Sequence, residues 1–145
     1  MLAILTMSIS PALDLCVRNL AGLDHQTLML TLHHIRQNQD KLGVSLTQGC
    51  SAGSIRLTFA LNPEAPHPPD ALGATRTAGG KILPDIRIFT QSVSRMLPSS
   101  GPECRARALA KVAFHELSHY LRQDGGHGHG LDQPTFDAQT LLSLD

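Results

Sequence analysis

The sequence predicts an α+β fold, because two amphipathic helical patterns, at residues 20–42 and 102–124, enclose a run of strand-like segments. Those segments, residues 44–47, 55–61, 71–78 and 82–89, are separated by glycine- and proline-rich turns. A length of 145 residues suits one domain, residues 1–145, around one hydrophobic core.

Residues 1–9 are apolar and faintly resemble a signal-peptide core but lack its basic start, so they read as a first strand or helix in preference to a remnant signal. In the first helical pattern Asp24 is placed to cap the N-terminus, Leu28, Leu32 and Ile35 share a face, and Gly43 can end it. His33 and His34 lie within this pattern. Being adjacent on a helix they point to different faces, so they read as polar surface residues and not as a joint chelator. Gly49 to Gly53 form the turn between the first two strands. The loop at residues 62–70 carries prolines at 63, 66, 68 and 69, with His67 exposed.

Gly79-Gly80 turns the chain into the strand at 82–89, where Ile86 and Ile88 face inward and Pro84 requires an edge or a bulge. Residues 92–97 read as a short helix closed by the breaker stretch 98–102. The second long helix has Pro102 in its first turn, Glu103 at its positive end, and an apolar stripe of Leu109, Val112, Ala113, Leu117 and Leu121. It is expected to stop at Asp124-Gly125-Gly126, since glycine readily takes the left-handed conformation that ends helices. A loop and a short apolar turn or helix around residues 140–144 follow, with no internal repeat.

Apolar residues make up 41% of the chain but aromatics only 3%, so burial rests on Leu, Ile, Val and Ala. Lys and Arg number 12 against 12 Asp and Glu, and no linear basic run marks a nucleic-acid or anionic-lipid surface. No segment approaches membrane-spanning length. The expectation is a soluble protein, cytoplasmic in preference to secreted, with no nucleic-acid or membrane partner; its oligomeric state is not legible. Cys16, Cys50 and Cys104 form no CxxC pair, and the odd count leaves room for one bridge at most.

Residues 115–119 read His-Glu-Leu-Ser-His, an HExxH motif inside the clearest helix. Positions four apart lie one turn above each other, so two imidazoles there can approach a single ion about 2 Å from each nitrogen. Glu116 is angled to reach a water on that ion, and it is one of only three glutamates, with Glu64 and Glu103. Chance produces such a motif in a chain of this composition about one or two times in a hundred.

A catalytic Zn²⁺ takes three protein ligands and a water. His127 and His129 both follow the glycine break, in Gly-Gly-His-Gly-His-Gly, and flanking glycines let the chain fold back toward the helix. His127 is the favoured third ligand and His129 the runner-up; Asp124 and Asp132 are better placed as partners of a ring N–H.

With these residues in hand, the sequence resembles the zincin metallopeptidases, in particular a reduced metzincin-type domain. One carrying segment is Ala113-Phe114-His115-Glu116-Leu117-Ser118-His119-Tyr120-Leu121 with the glycine-histidine loop. The other is Leu72-Gly73-Ala74-Thr75-Arg76, continued by Gly80-Lys81-Ile82-Leu83-Pro84-Asp85-Ile86-Arg87-Ile88. The resemblance implies a twisted mixed sheet with an antiparallel edge strand beside a cleft. That sheet would pack on the N-terminal helix and on the HExxH helix that floors the cleft. It also implies that an extended peptide pairs with the edge strand, drawn from residues 73–78 or 82–89, which makes Gly73, Ala74 and Thr75 candidate substrate-binding residues.

The chain departs from the metzincin pattern. Arg122 and Gly125 stand where the extended motif has Gly and His, and no Met follows residue 96 to form a methionine turn. Leu131 or Phe136 would have to supply that apolar floor. The His-bearing loop after a longer gap is also similar to that of SprT-like proteases, a more distant likeness.

The resulting expectation is a zinc metallopeptidase, an endopeptidase acting on peptide or protein substrates. His115, His119 and His127 would hold one Zn²⁺, and Glu116 would serve as general base. The alternative is a non-catalytic zinc-binding regulatory or interaction module of the same fold, favoured by short length and few aromatics to wall a cleft. Neither Arg76 nor Arg122 reads as more than a solvated arginine, and Tyr120 points to another helix face than the ligands.

Overall fold

A computed structural model describes residues 12–97 and 101–124. It is a mixed α+β arrangement: a five-stranded sheet with three helices among the described residues. The strands are β1 (Leu13–Asn19), β2 (Val44–Thr47), β3 (Ile55–Ala60), β4 (Gly73–Ala78) and β5 (Lys81–Phe89), in the order β2-β1-β3-β5-β4. Pairings are parallel except for β4, which runs antiparallel to β5 at the edge. The helices are α1 (His25–Leu42), α2 (Thr90–Met96) and α3 (Pro102–Arg122). The expected antiparallel edge strand is therefore present.

β1 is an element that sequence periodicity did not reveal. Asp14 and Arg18 make it polar for its length, yet Leu15 and Val17 face the core and Cys16 and Arg18 the opposite side. The apolar residues 1–9, expected to form a first element, lie outside the described residues. The first helix begins later than its apolar pattern. Gly22 adopts φ 68°, the Asn19 side chain closes a loop onto Leu23, and Asp24 then caps α1 by accepting from the Thr27 amide. Gly43 ends α1 in the left-handed conformation, as expected.

The turn at residues 49–53 does not join neighbouring strands. β1 lies between β2 and β3, parallel to both, so the connection passes over β1 on the face away from the helices. There Cys50 meets Cys16, and the two form a disulfide with Cα atoms 5.2 Å apart. Cys104 is free. Among the described residues no helix is long and apolar enough to cross a membrane.

β4 and β5 form a hairpin whose turn residues, Gly79 and Gly80, both have positive φ, as tight hairpin turns require. Pro84 falls in the predicted irregularity. The β4–β5 register shifts between Thr75 and Thr77, and pairing of β5 with β3 starts only at Asp85.

One core fills the space between the sheet and α1 and α3. Leu15, Leu57, Ile86 and Ile88 come from the sheet, Ile35 from α1, and Leu109, Val112, Ala113 and Leu117 from α3. Each fully buried aliphatic side chain of this kind contributes about 1.5–3 kcal/mol. On α1 the deepest positions are Thr27, Thr31 and Ile35, while Leu28 and Leu32 are only partly buried. Thr31 is tolerated there because its hydroxyl donates to the Thr27 carbonyl at 2.7 Å.

Candidate metal centre

α3 carries the HExxH residues on the side that meets β4 and β5. His115, Glu116 and His119 are 4%, 8% and 8% exposed, so the helix holds three polar side chains largely out of solvent. Their ligand-capable atoms all lie within 4.8 Å of one another, an arrangement that could hold a metal ion.

The two imidazoles meet through their Nε2 atoms, 3.2 Å apart, with ring planes at 87°. Two nitrogens bound to one zinc at 2.0–2.1 Å in tetrahedral geometry would sit about 3.3 Å apart. The spacing matches the bite of a single ion, and it is also the length of an N–H···N hydrogen bond between the two rings. The other face of the His119 ring is fixed as well: Nδ1 donates to the Asp124 carbonyl at 2.9 Å. In the neutral ring that bond puts the proton on Nδ1 and leaves the Nε2 lone pair as the ligand atom, the tautomer a metal ligand needs.

The Asp124 carbonyl reaches His119 because α3 stops early. The expected glycine terminus is not what ends it; Gln123 does, with φ 51°, the one positive φ of a non-glycine among the described residues. Its side chain offsets that conformation. It accepts from the Ile82 amide at 3.1 Å, and its Nε2 donates to the Ile82 and Tyr120 carbonyls, both at 2.9 Å. The helix end is thereby pinned to the start of β5, and the Asp124 main chain folds back onto His119.

Glu116 projects toward β4. The Thr75 hydroxyl donates to Glu116 Oε2 at 2.6 Å and also lies 3.2 Å from the Glu116 carbonyl oxygen. A carboxylate this buried needs a donor, and β4 supplies it. Two residues earlier, on the same face of the strand, Gly73 supplies room. A Cβ there would lie 2.9 Å from Glu116 Cγ, 3.0 Å from Val112 Cγ1 and 3.1 Å from the Arg87 carbonyl oxygen. Beside Glu116 opens a cleft of ≈ 660 Å³, walled by Leu72, Gly73, Met96, Val112 and His115, with Arg95 among its lining.

Of the candidate substrate-binding residues, Gly73 and Thr75 thus lie against Glu116, whereas Ala74 faces the other side of the sheet. Arg76 is also on that far side, 3.7 Å from Asp85. Tyr120 packs against the core. Asp124 partners a ring N–H, as anticipated, but through its main chain. His127, His129, Leu131, Asp132 and Phe136 lie outside the described residues. His33 is exposed, while His34 bridges α1 to α3 through Glu103 at 3.0 Å.

Sequence reasoning missed the Thr75–Glu116 bond and the role of Gln123. The alternation of Gly73 and Thr75 on one strand face was the available signal for the first; no local pattern marks the second. No protein-family model matches the chain, and no curated protein matches it.

Proposed function

We propose that this chain is a zinc-dependent endopeptidase of the zincin type, with His115 and His119 as two ligands and His127 as the third. The observation that carries the reading is the pair of Nε2 atoms 3.2 Å apart, with the His119 tautomer fixed and a buried carboxylate beside them. Zn²⁺ at such a site supplies Lewis acidity and lowers the pKa of a water to near 7.

Glu116 then takes the proton of the attacking water and passes it to the departing amine nitrogen. Thr75 holds one carboxylate oxygen, leaving the other for this transfer. The Asp124 carbonyl keeps the His119 ring oriented. β4 is the edge of the sheet, with its outer side unpaired among the described residues. An extended substrate adding there as a further strand would lie along the cleft beside Glu116.

The test is digestion of a broad peptide library by the zinc-loaded wild type and by Glu116→Gln. The proposal expects cleavage by the wild type and a loss of about 10²–10⁴-fold in the variant at unchanged zinc content. Stoichiometric zinc with no cleavage by the wild type would instead make the chain a non-catalytic zinc module.

A further inference from the structure

The face of the sheet away from the helices carries a second feature that no linear reading of the sequence shows. α1 and α3 cover the side on which Leu15, Leu57, Ile86 and Gly73 point. On the opposite side the residues alternate with these, and four successive strands each contribute one exposed arginine: Arg18 from β1, Arg56 from β3, Arg87 from β5 and Arg76 from β4. The register fixes their arrangement. Arg18, Thr58 and Arg87 are aligned across the sheet, and Arg56 lies in the adjacent row beside Asp85.

With strands about 4.8 Å apart, the four arginines form a zigzag spanning about 14 Å across the strands. Asp85 pairs with Arg76, and Arg18, Arg56 and Arg87 form no ion pair with any described residue. At the β4 end the zigzag runs into a cleft of ≈ 450 Å³ between Ala74, Arg76, Arg87 and Phe89 and the loop bearing Pro66 and His67.

We infer that this face binds an acidic polypeptide segment in extended form, its carboxylates on the arginines and one apolar side chain in the cleft. Guanidinium groups pair with carboxylates through two parallel hydrogen bonds, and a row of them selects a partner by charge. Two observations favour a polypeptide over a nucleic acid. Among the described residues this face exposes no Phe, Tyr or Trp, and the His67 imidazole at the cleft is a single ring where a stacked strand needs a series. Asp85 and Glu64 also stand at the cleft, where they oppose an unbroken phosphate chain but accommodate spaced carboxylates. The inference is independent of the metal centre, which lies on the other face.

The test is fluorescence anisotropy of a labelled glutamate-rich peptide containing one leucine, with the full chain. Arms with EDTA and with raised salt separate it from the metal site. Binding is expected to be unaffected by EDTA and to weaken with salt. It should fall at least about tenfold in Arg18→Glu/Arg56→Glu. Arg18→Gln/Arg56→Gln, which removes charge without reversing it, should show a smaller loss at unchanged melting temperature. Equal affinity in the variants and the wild type, no binding of the peptide, or tighter binding of an oligothymidylate of equal charge would each overturn the proposal.

Discussion

The Thr75 hydroxyl donates to the Glu116 carboxylate at 2.6 Å, joining the edge strand to the HExxH helix at the one carboxylate of the motif. Replacing Thr75 with Val keeps the shape and removes the donor. We expect a fall of about tenfold in kcat, the worth of one lost hydrogen bond to a charged group, with KM little changed. Thr75→Ser should restore most of the rate. A Val variant with full activity would show that the bond does not orient the base.

Gly73 admits the Glu116 side chain by having none of its own. In Gly73→Ala the new Cβ would meet Glu116 Cγ at 2.9 Å and main-chain oxygen at 3.1 Å. Something must shift. A loss of about 1–3 kcal/mol in unfolding free energy is expected, with reduced activity in the fraction that folds. Urea denaturation of the variant measures it directly.

The Cys16–Cys50 bridge closes a loop with a sequence separation of 34 over the exposed face of β1. Such a constraint contributes about 2–4 kcal/mol through the unfolded chain. Cys50→Ser should therefore lower the urea midpoint in oxidising buffer. Excess reductant should bring the wild type down to the same value. Coincident midpoints for the two proteins without reductant would mean that the bridge does not form in solution.

Asp24 gives α1 a pH-dependent start. Its pKa is held below the ordinary 3.8, first by the hydrogen bond from the Thr27 hydroxyl and then by the Thr27 amide. A folded-state pKa below the unfolded one means that the contribution is complete above the unfolded value. It is lost as pH falls through the folded value. Asp24→Asn keeps an acceptor without the charge. The difference in stability between wild type and this variant should thus shrink as the pH is taken down from about 5. A difference that stays constant across that range would contradict the assignment.

Much of this architecture can be read in the sequence where short-range physics decides it. Asp24 and Gly43 bound α1, Gly79-Gly80 sets the hairpin, and Ile86 and Ile88 are fully buried. Contacts between distant segments decide the remainder. β1 carries Asp14 and Arg18 among few apolar residues, and becomes a central strand because β2 and β3 both pair with it. Gln123 ends α3 ahead of the glycines because Ile82, 41 residues away in sequence, receives its side chain. The motif at 115–119 announces its own helix, but the groups that orient it, Thr75 and the Asp124 carbonyl, come from the fold. The arginine zigzag is dispersed over four strands, which is why a balanced charge count concealed it.

Metal binding by His115 and His119 is the claim on which the site depends. Elemental analysis of purified, zinc-equilibrated protein tests it most directly, comparing the wild type with His115→Ala and His119→Ala under conditions where circular dichroism shows all three folded. One zinc per wild-type chain is expected, and less than a tenth of that, roughly, in either variant. A wild type without stoichiometric zinc, or variants that retain it, would contradict the claim.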